Sequence, residues 1–398
     1  MDGHTGSHST DISSSAYVPP VSKSAAAPQT ETGLKKVLHL INGEHYSGAE
    51  RVQDLLGLRL PEFGYHADFA CVKPGKFATS RRAQDCQVFE LAMRHRFDLW
   101  RSRDVVRLVQ EHGYKIIHAH TPRTALLAML AARSCDAQFV YHVHSPTSRD
   151  STRRFTNWVN QQVESWAMFQ AARLITVSNS LSRHLASLHV PAEKVRVVHN
   201  GVPPLEEVPA REASQGTWTV GCVALFRPRK GIEVLLQALA NLRSAGHDVR
   251  LRAVGPFETP EYEREIMALV AKLDLQAAID WVGFTQDVNA ELFQMDLFVL
   301  PSLFGEGLPM VVLEAMAAGV PVIASDVEGA CEAIQSGVDG LLAIPADADD
   351  LTQKISSVVS GQVDWLSLRQ AALLRQREAF SDRSMASGTA AVYDELLG

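Results

Sequence analysis

The sequence predicts an α/β protein built from two doubly wound parallel-sheet domains that face a cleft. Three observations predict this. At 398 residues the chain exceeds what a single hydrophobic core usually serves. From about residue 34 onward, short β-branched apolar runs alternate with longer helix-like stretches, the pattern of a parallel sheet covered by helices on both faces. A stretch with three prolines and a polar end, NGVPPLEEVPAREASQGT at 200–217, then divides those runs into two sets.

Residues 1–33 are rich in Ser, Thr, Ala and Pro without an apolar period, so they read as a disordered tail outside the fold. The first set of runs is KKVLHLI (35–41), HADFACV (66–72), KIIHAH (115–120), FVYHVH (139–144), RLITVS (173–178) and KVRVVHN (194–200). The second is TVGCVAL (219–225), RLRAVG (250–255), IDWVGF (279–284), LFVLPS (297–302), PVIASD (321–326) and GLLAI (340–344). The run 368–397 is helical in composition. The expected domains are therefore 34–203, a linker at 204–217, 218–376, and a closing helix at 377–398. In open parallel sheets, ligands sit beyond the carboxyl ends of the strands, so a site in the cleft is expected.

Composition narrows the function. Hydrophobic residues at 46% and charged residues at 21% exclude a disordered or fibrous chain. No run of eighteen apolar residues occurs, and the N-terminus lacks the basic start and apolar core of a secretory signal, so a cytoplasmic protein is expected. Five cysteines, Cys71, Cys86, Cys135, Cys222 and Cys331, are widely spaced and read as reduced core residues. The net charge of −7 conceals an asymmetry: 34–205 holds 23 Lys and Arg against 14 Asp and Glu, whereas 206–398 holds 14 against 28. A basic half suggests an anionic partner. Its stretches 94–113 and 148–166 mix arginines with Phe97, Trp100 and other apolar residues. Two readings stand for them: peripheral docking on an anionic membrane, or a solvated arginine face on a core-packed helix. Nucleic acid is excluded as a partner by the negative net charge and the lack of a recognisable module.

The chemistry concentrates in LPSLFGEGLPMVVLEAMAAGVPVIAS (300–325), which reads as strand, glycine loop, helix and strand. Pro309 suits the first helical turn, and Gly305 and Gly307 let backbone approach a ligand closely. The free N–H groups near Leu308, Met310 and Val311, with the positive end of the helix dipole, favour a diphosphate. Glu306 and Glu314 flank that start, and as carboxylates they suit hydroxyls beyond the phosphates rather than the phosphates themselves. Read singly, each is also satisfied as a solvated acid. The loop RPRKG (227–231), after a strand and before a helix, offers cations to a departing anion, although alone it also reads as an exposed basic loop. The pairs His118/His120 and His142/His144 are read as presenting one imidazole to each side of their strands, which leaves no local chelate and no metal site.

The segment EGLPMVVLEAMAAGVPVIAS resembles the two-glutamate signature of family 4 retaining glycosyltransferases. The resemblance continues in order through SGAERV (47–52), IIHAH (116–120), HVHSP (142–146), LITVSNSLSRHL (174–185), VRVVHNGV (195–202), RPRKGIEVLLQAL (227–239) and VDGLLAIPADADDL (338–351). It implies the GT-B fold of two Rossmann-like domains, a nucleotide-sugar donor linked to UDP, GDP or ADP, a glycan, lipid-linked or small-molecule acceptor, and no metal or other cofactor. By position it implies that Glu306 meets sugar hydroxyls, Glu314 the ribose, Lys230 and Arg227 the diphosphate, His144 the donor sugar, and Gly48 the phosphates or the acceptor. His120 and Asn200 are implied as acceptor-side or domain-closing residues. The pattern departs from the family twice. Ala224-Leu225 stands where many members have Gly-Arg, so Arg227 is expected to serve instead, and Ser47 replaces the first of two glycines. Polysaccharide or glycolipid biosynthesis is the implied setting. The rival readings are a GT-B epimerase or phosphorylase and a non-catalytic nucleotide-sugar binder.

Overall fold

The computed structural model describes residues 33–95, 97–145 and 164–398. The stretch 148–166 named above falls almost wholly outside them. Among the described residues, thirteen strands form two sheets. The first contains β1 (Lys35–Ile41), β2 (Tyr65–Cys71), β3 (Val88–Glu90), β4 (Ile116–Ala119), β5 (Gln138–Val143), β6 (Arg173–Thr176) and β7 (Val195–Val197). The second contains β8 (Trp218–Val223), β9 (Val249–Val254), β10 (Ile279–Gly283), β11 (Leu297–Leu300), β12 (Val322–Ser325) and β13 (Leu341–Ala343).

Strand order is 3-2-1-4-5-6-7 in the first sheet and 10-9-8-11-12-13 in the second, with every pairing parallel. Each sheet thus reverses direction once, between β1 and β4 and between β8 and β11. At such a reversal the following connections leave to opposite faces and open a crevice at the strand ends. Near-continuous apolar strands make this possible: the last five residues of β1 and all of β11 are buried, as suits a sheet covered on both sides.

Local chemistry starts and stops the covering helices. Thr121 accepts from the Thr124 backbone and Pro122 follows it, which starts the helix Pro122–Ala132. Thr259 does the same ahead of Pro260–Lys272, and Gly113 in the left-handed region ends Arg101–His112. β3 was not expected. Three residues at a sheet edge, two half-buried and one exposed, carry no period to read. The helical run near the C-terminus is two helices, Trp365–Ala379 and Asp382–Leu397, interrupted where Ser381 bridges Val202. There the Val202 N–H donates to Phe380 at 2.9 Å and Asp382 donates back to Val202 at 3.1 Å. A Cβ on Gly201 would lie 2.0 Å from the Ser381 carbonyl oxygen, so the two crossing segments touch only because glycine stands there. Arg211 in the connecting stretch donates to the Phe293 and Met295 carbonyls and pairs with Asp296. Of the cysteines, Cys71, Cys86 and Cys222 are core residues as expected, but Cys135 and Cys331 are only half-buried.

Candidate active site

The loops that follow β1, β4, β8 and β11, the four strands at the reversals, carry most of the residues singled out above. Gly48 opens the helix Gly48–Arg59 after β1, and a Cβ there would lie 3.9 Å from Met310 at the start of the helix Met310–Ala317. Arg51, one turn into the first of these helices, forms an ion pair with Glu314 in the second. Two helix starts therefore face each other across the cleft.

Glu306 is 5% exposed and accepts from Lys230 Nζ at 2.5 Å and from Ser302 Oγ at 2.7 Å, with Arg229 Nη1 at 3.5 Å. Burial pushes its carboxyl up, but the charge and hydrogen bond of Lys230, the charge of Arg229 and the Ser302 hydroxyl outweigh it and hold the group below the usual range. Glu314, equally buried, has the opposite balance. Desolvation dominates and raises it, and Arg51 only partly offsets the shift.

Arg227 does not join this cluster. Its Nη1 lies 3.4 Å from Glu258, and Arg229, passed over in the sequence reading, lies beside Glu306 and the Gly305 carbonyl. The reason is the turn Pro228–Lys230, which ends at Gly231 with φ 65°. A Cβ at Gly231 would meet the Pro301 carbonyl at 2.1 Å, so this glycine lets the basic turn press against the end of β11, with Arg229 and Lys230 directed to Glu306. Arg229 was legible as a second cation in RPRK; only its direction was not.

Pro309 is the cap of the helix Met310–Ala317, one residue ahead of the expected first-turn position, and contributes no side-chain cap. Leu308 and Met310 are buried and Val311 is half-buried. Asn200 donates to the Leu308 carbonyl at 2.9 Å, which joins the two halves at the helix start. A Cβ on Gly307 would lie 1.9 Å from the His144 carbonyl oxygen. Glu332, which the sequence reading missed, accepts from the backbone N–H groups of Asn179 and Ser180 at 2.7 and 2.5 Å and so caps a helix of the opposite half.

The histidine pairs need correction. Residues two apart on a strand share a face, and the rings of His118 and His120 stack at 4.3 Å, as do those of His142 and His144. With His39 on β1 they form one layer of five imidazoles. His39 Nδ1 is 2.9 Å from His120 Nε2, and His120 Nδ1 is 3.1 Å from His144 Nε2. Burial holds His39 down to about 3 and His144 to about 4, with His118, His120 and His142 well below the usual range, so the layer is uncharged at neutral pH.

This geometry coincides with known proteins. Residues 206–375 match the family described as glycosyl transferases group 1, and residues 46–204 match glycosyltransferase family 4. Over 259 residues the chain is 30% identical to the lipopolysaccharide core biosynthesis mannosyltransferase LpsB of Rhizobium meliloti, covering 61% of this chain and 72% of that protein. An uncharacterized glycosyltransferase of Methanocaldococcus jannaschii is 28% identical over 269 residues, 63% of this chain and 67% of its own. Two further curated relatives are spanned over only 52% and 46% of their length. Among solved structures, Anabaena HepE in complex with UDP superposes with a TM-score of 0.78 at 21% identity, over 91% of this chain and 100% of that one. The fold is GT-B, two Rossmann-like halves around a cleft. The chain belongs to the family 4, group 1 glycosyltransferases. Among the described residues, no helix is long and apolar enough to cross a membrane.

Proposed function

We propose that the protein is a retaining glycosyltransferase that moves a sugar from a nucleotide-sugar donor to a glycan, lipid-linked or small-molecule acceptor. The observation that carries this reading is the buried Glu306 held by Lys230, Arg229 and Ser302 beside an uncapped helix start, opposite Gly48 and His144. The second half, about 218–376, takes the donor and the first, about 34–203, the acceptor. The donor diphosphate lies at the helix start, where backbone N–H groups near Met310 and Val311 and the helix dipole favour an anion. Lys230 and Arg229, with Arg227 at the rim, neutralise the leaving group, so no metal is required. Glu306 takes sugar hydroxyls and Glu314 the ribose.

In the transfer step, the bond between the anomeric carbon and the diphosphate oxygen breaks as the acceptor oxygen bonds to the same face. The acceptor's proton passes to the leaving phosphate oxygen, and the products are the glycoside and the nucleoside diphosphate. Cations fixed in a partly dry cleft favour this because charge develops on the leaving oxygen. Anabaena HepE, which shares the fold, is solved with UDP-glucose, which supports a donor of this class.

The test is a thermal-shift screen of the purified protein against UDP-, GDP- and ADP-sugars, followed by turnover with the donor that stabilises it. Glu306→Ala and Lys230→Ala, folded as judged by circular dichroism, are expected to lose transfer. Turnover like that of the parent protein in both would sink the proposal. Cosedimentation with anionic vesicles tests whether the basic first half also docks on a membrane.

A further inference from the structure

Beyond glycosyl transfer, we propose that His120, His142 and His144 form a binding site for a divalent transition ion of the zinc class on the first-half wall of the cleft.

Two groups of three imidazoles have their ligand atoms within 4.8 Å of one another: His39, His118 and His120, and His120, His142 and His144. They share His120, so one ion at a time takes it. Hydrogen bonding separates the two candidates. Both ring nitrogens of His39 are engaged, Nδ1 with His120 at 2.9 Å and Nε2 with the Tyr393 hydroxyl at 3.4 Å. His118 Nδ1 takes the same hydroxyl at 2.6 Å, which leaves only its Nε2 without a partner. His142, fully buried, has no hydrogen-bond partner at either ring nitrogen. A buried imidazole left that way keeps two polar atoms out of water without compensation, and a metal–nitrogen bond removes the deficit at one of them.

The dimensions suit the ion. Zinc binds imidazole nitrogen at about 2.0–2.1 Å, which sets ligand nitrogens in a tetrahedral site roughly 3.4 Å apart. His120 Nδ1 and His144 Nε2 are already 3.1 Å apart, so a small separation of the two rings admits the ion between them. Three neutral nitrogens without thiolate suit zinc, cobalt, nickel or copper rather than calcium or magnesium, which demand oxygen.

The surroundings supply what ligating histidines need behind them. With His120 Nδ1 on the ion, its Nε2–H donates to His39 Nδ1, His39 Nε2–H donates to the Tyr393 oxygen, and the Tyr393 hydroxyl donates to His118 Nδ1. Every atom in that relay has one consistent role, and partners of this kind fix the tautomer and orientation of a ligand. The buried carboxylate of Asp68 acts electrostatically on His39 and partly balances the ion's charge. His144 is half-buried at the cleft, which gives the ion a route in.

The test is a titration of the full chain, stripped with a chelator, with Co²⁺ and then with competing Zn²⁺ and no donor sugar, so its failure leaves the transferase reading intact. One equivalent of Co²⁺ should bind with the visible bands of a low-coordinate nitrogen site, and Zn²⁺ should displace it. His142→Asn should abolish saturable binding, and Tyr393→Phe should weaken it about 10-fold or more by loosening the relay. Absence of saturable binding, binding undiminished in His142→Asn, or loss in His118→Asn instead would overturn the assignment. Should His142→Asn fail to fold, zinc K-edge absorption of the unmodified protein decides: a shell of three nitrogens near 2.0–2.1 Å supports the site, and a sulfur or carboxylate shell removes it.

Discussion

The two sheets end differently at the cleft. β1, β4 and β5 finish in a stacked layer of imidazoles that burial keeps neutral, whereas the loops after β8 and β11 finish in Lys230, Arg229 and Glu306, a charged group held by ion pairs. Both solve the same problem, polar atoms out of water, by opposite means. Discharge makes the first layer cheap to bury but sensitive to acid. Pairing makes the second insensitive near neutral pH but intolerant of losing a partner.

The largest expected effect tests the first half of that contrast. Five histidines have folded values below 6.5, so as pH falls through 6.5 the unfolded chain takes up protons that the folded chain refuses. Their stabilising contribution is complete above 6.5 and is lost progressively toward about 4, where His144 itself titrates. Each proton taken up on unfolding adds about 1.4 kcal/mol per pH unit. Urea titrations of chelator-treated protein between pH 7 and 5 should therefore steepen sharply; a flat profile breaks the contrast. Glu306, with a lowered value, loses its contribution only below the ordinary carboxylate range, and Glu314, with a raised value, has the opposite sign.

Next comes the charged end. Lys230→Ala should lower kcat by about 10²–10³-fold, the scale of removing one preorganised stabiliser of developing charge, and steady-state kinetics with the identified donor read it. Gly307→Ala drives a methyl group into the His144 carbonyl and should cost about 1–3 kcal/mol, as overpacking does, measured as a fall in melting temperature. The smallest effect sharpens the assignment of the second cation. Arg229→Ala should reduce donor affinity several-fold more than Arg227→Ala, because Arg229 touches the Glu306 cluster and Arg227 turns to Glu258. Calorimetry with donor reports the ratio.

The strands were legible because parallel-sheet interiors are apolar throughout: β1 has the bounds that KKVLHLI suggests, and the other expected strands lie within a few residues of theirs. Glu306, Glu314 and Lys230 were legible as site candidates because a glycine loop before a helix is a local arrangement. What lay hidden depends on distance in the fold. Arg51 meets Glu314 and Glu332 caps the helix at Asn179 across the cleft, and no local spacing announces either. The histidine layer was missed for a different reason. Histidines two apart on a strand share a face rather than alternate, and His39, with no second histidine on its strand, joins the others only through sheet order.

The helix Asp382–Leu397 follows the second sheet in the sequence, yet it belongs with the first: Tyr393 meets His118, Asp382 pairs with Arg59, and Glu395 pairs with Arg173 and Arg196. During synthesis the first half therefore waits until the whole second half has been made before its covering is complete. A premature stop that spares every cleft residue would therefore still leave the first half unfinished.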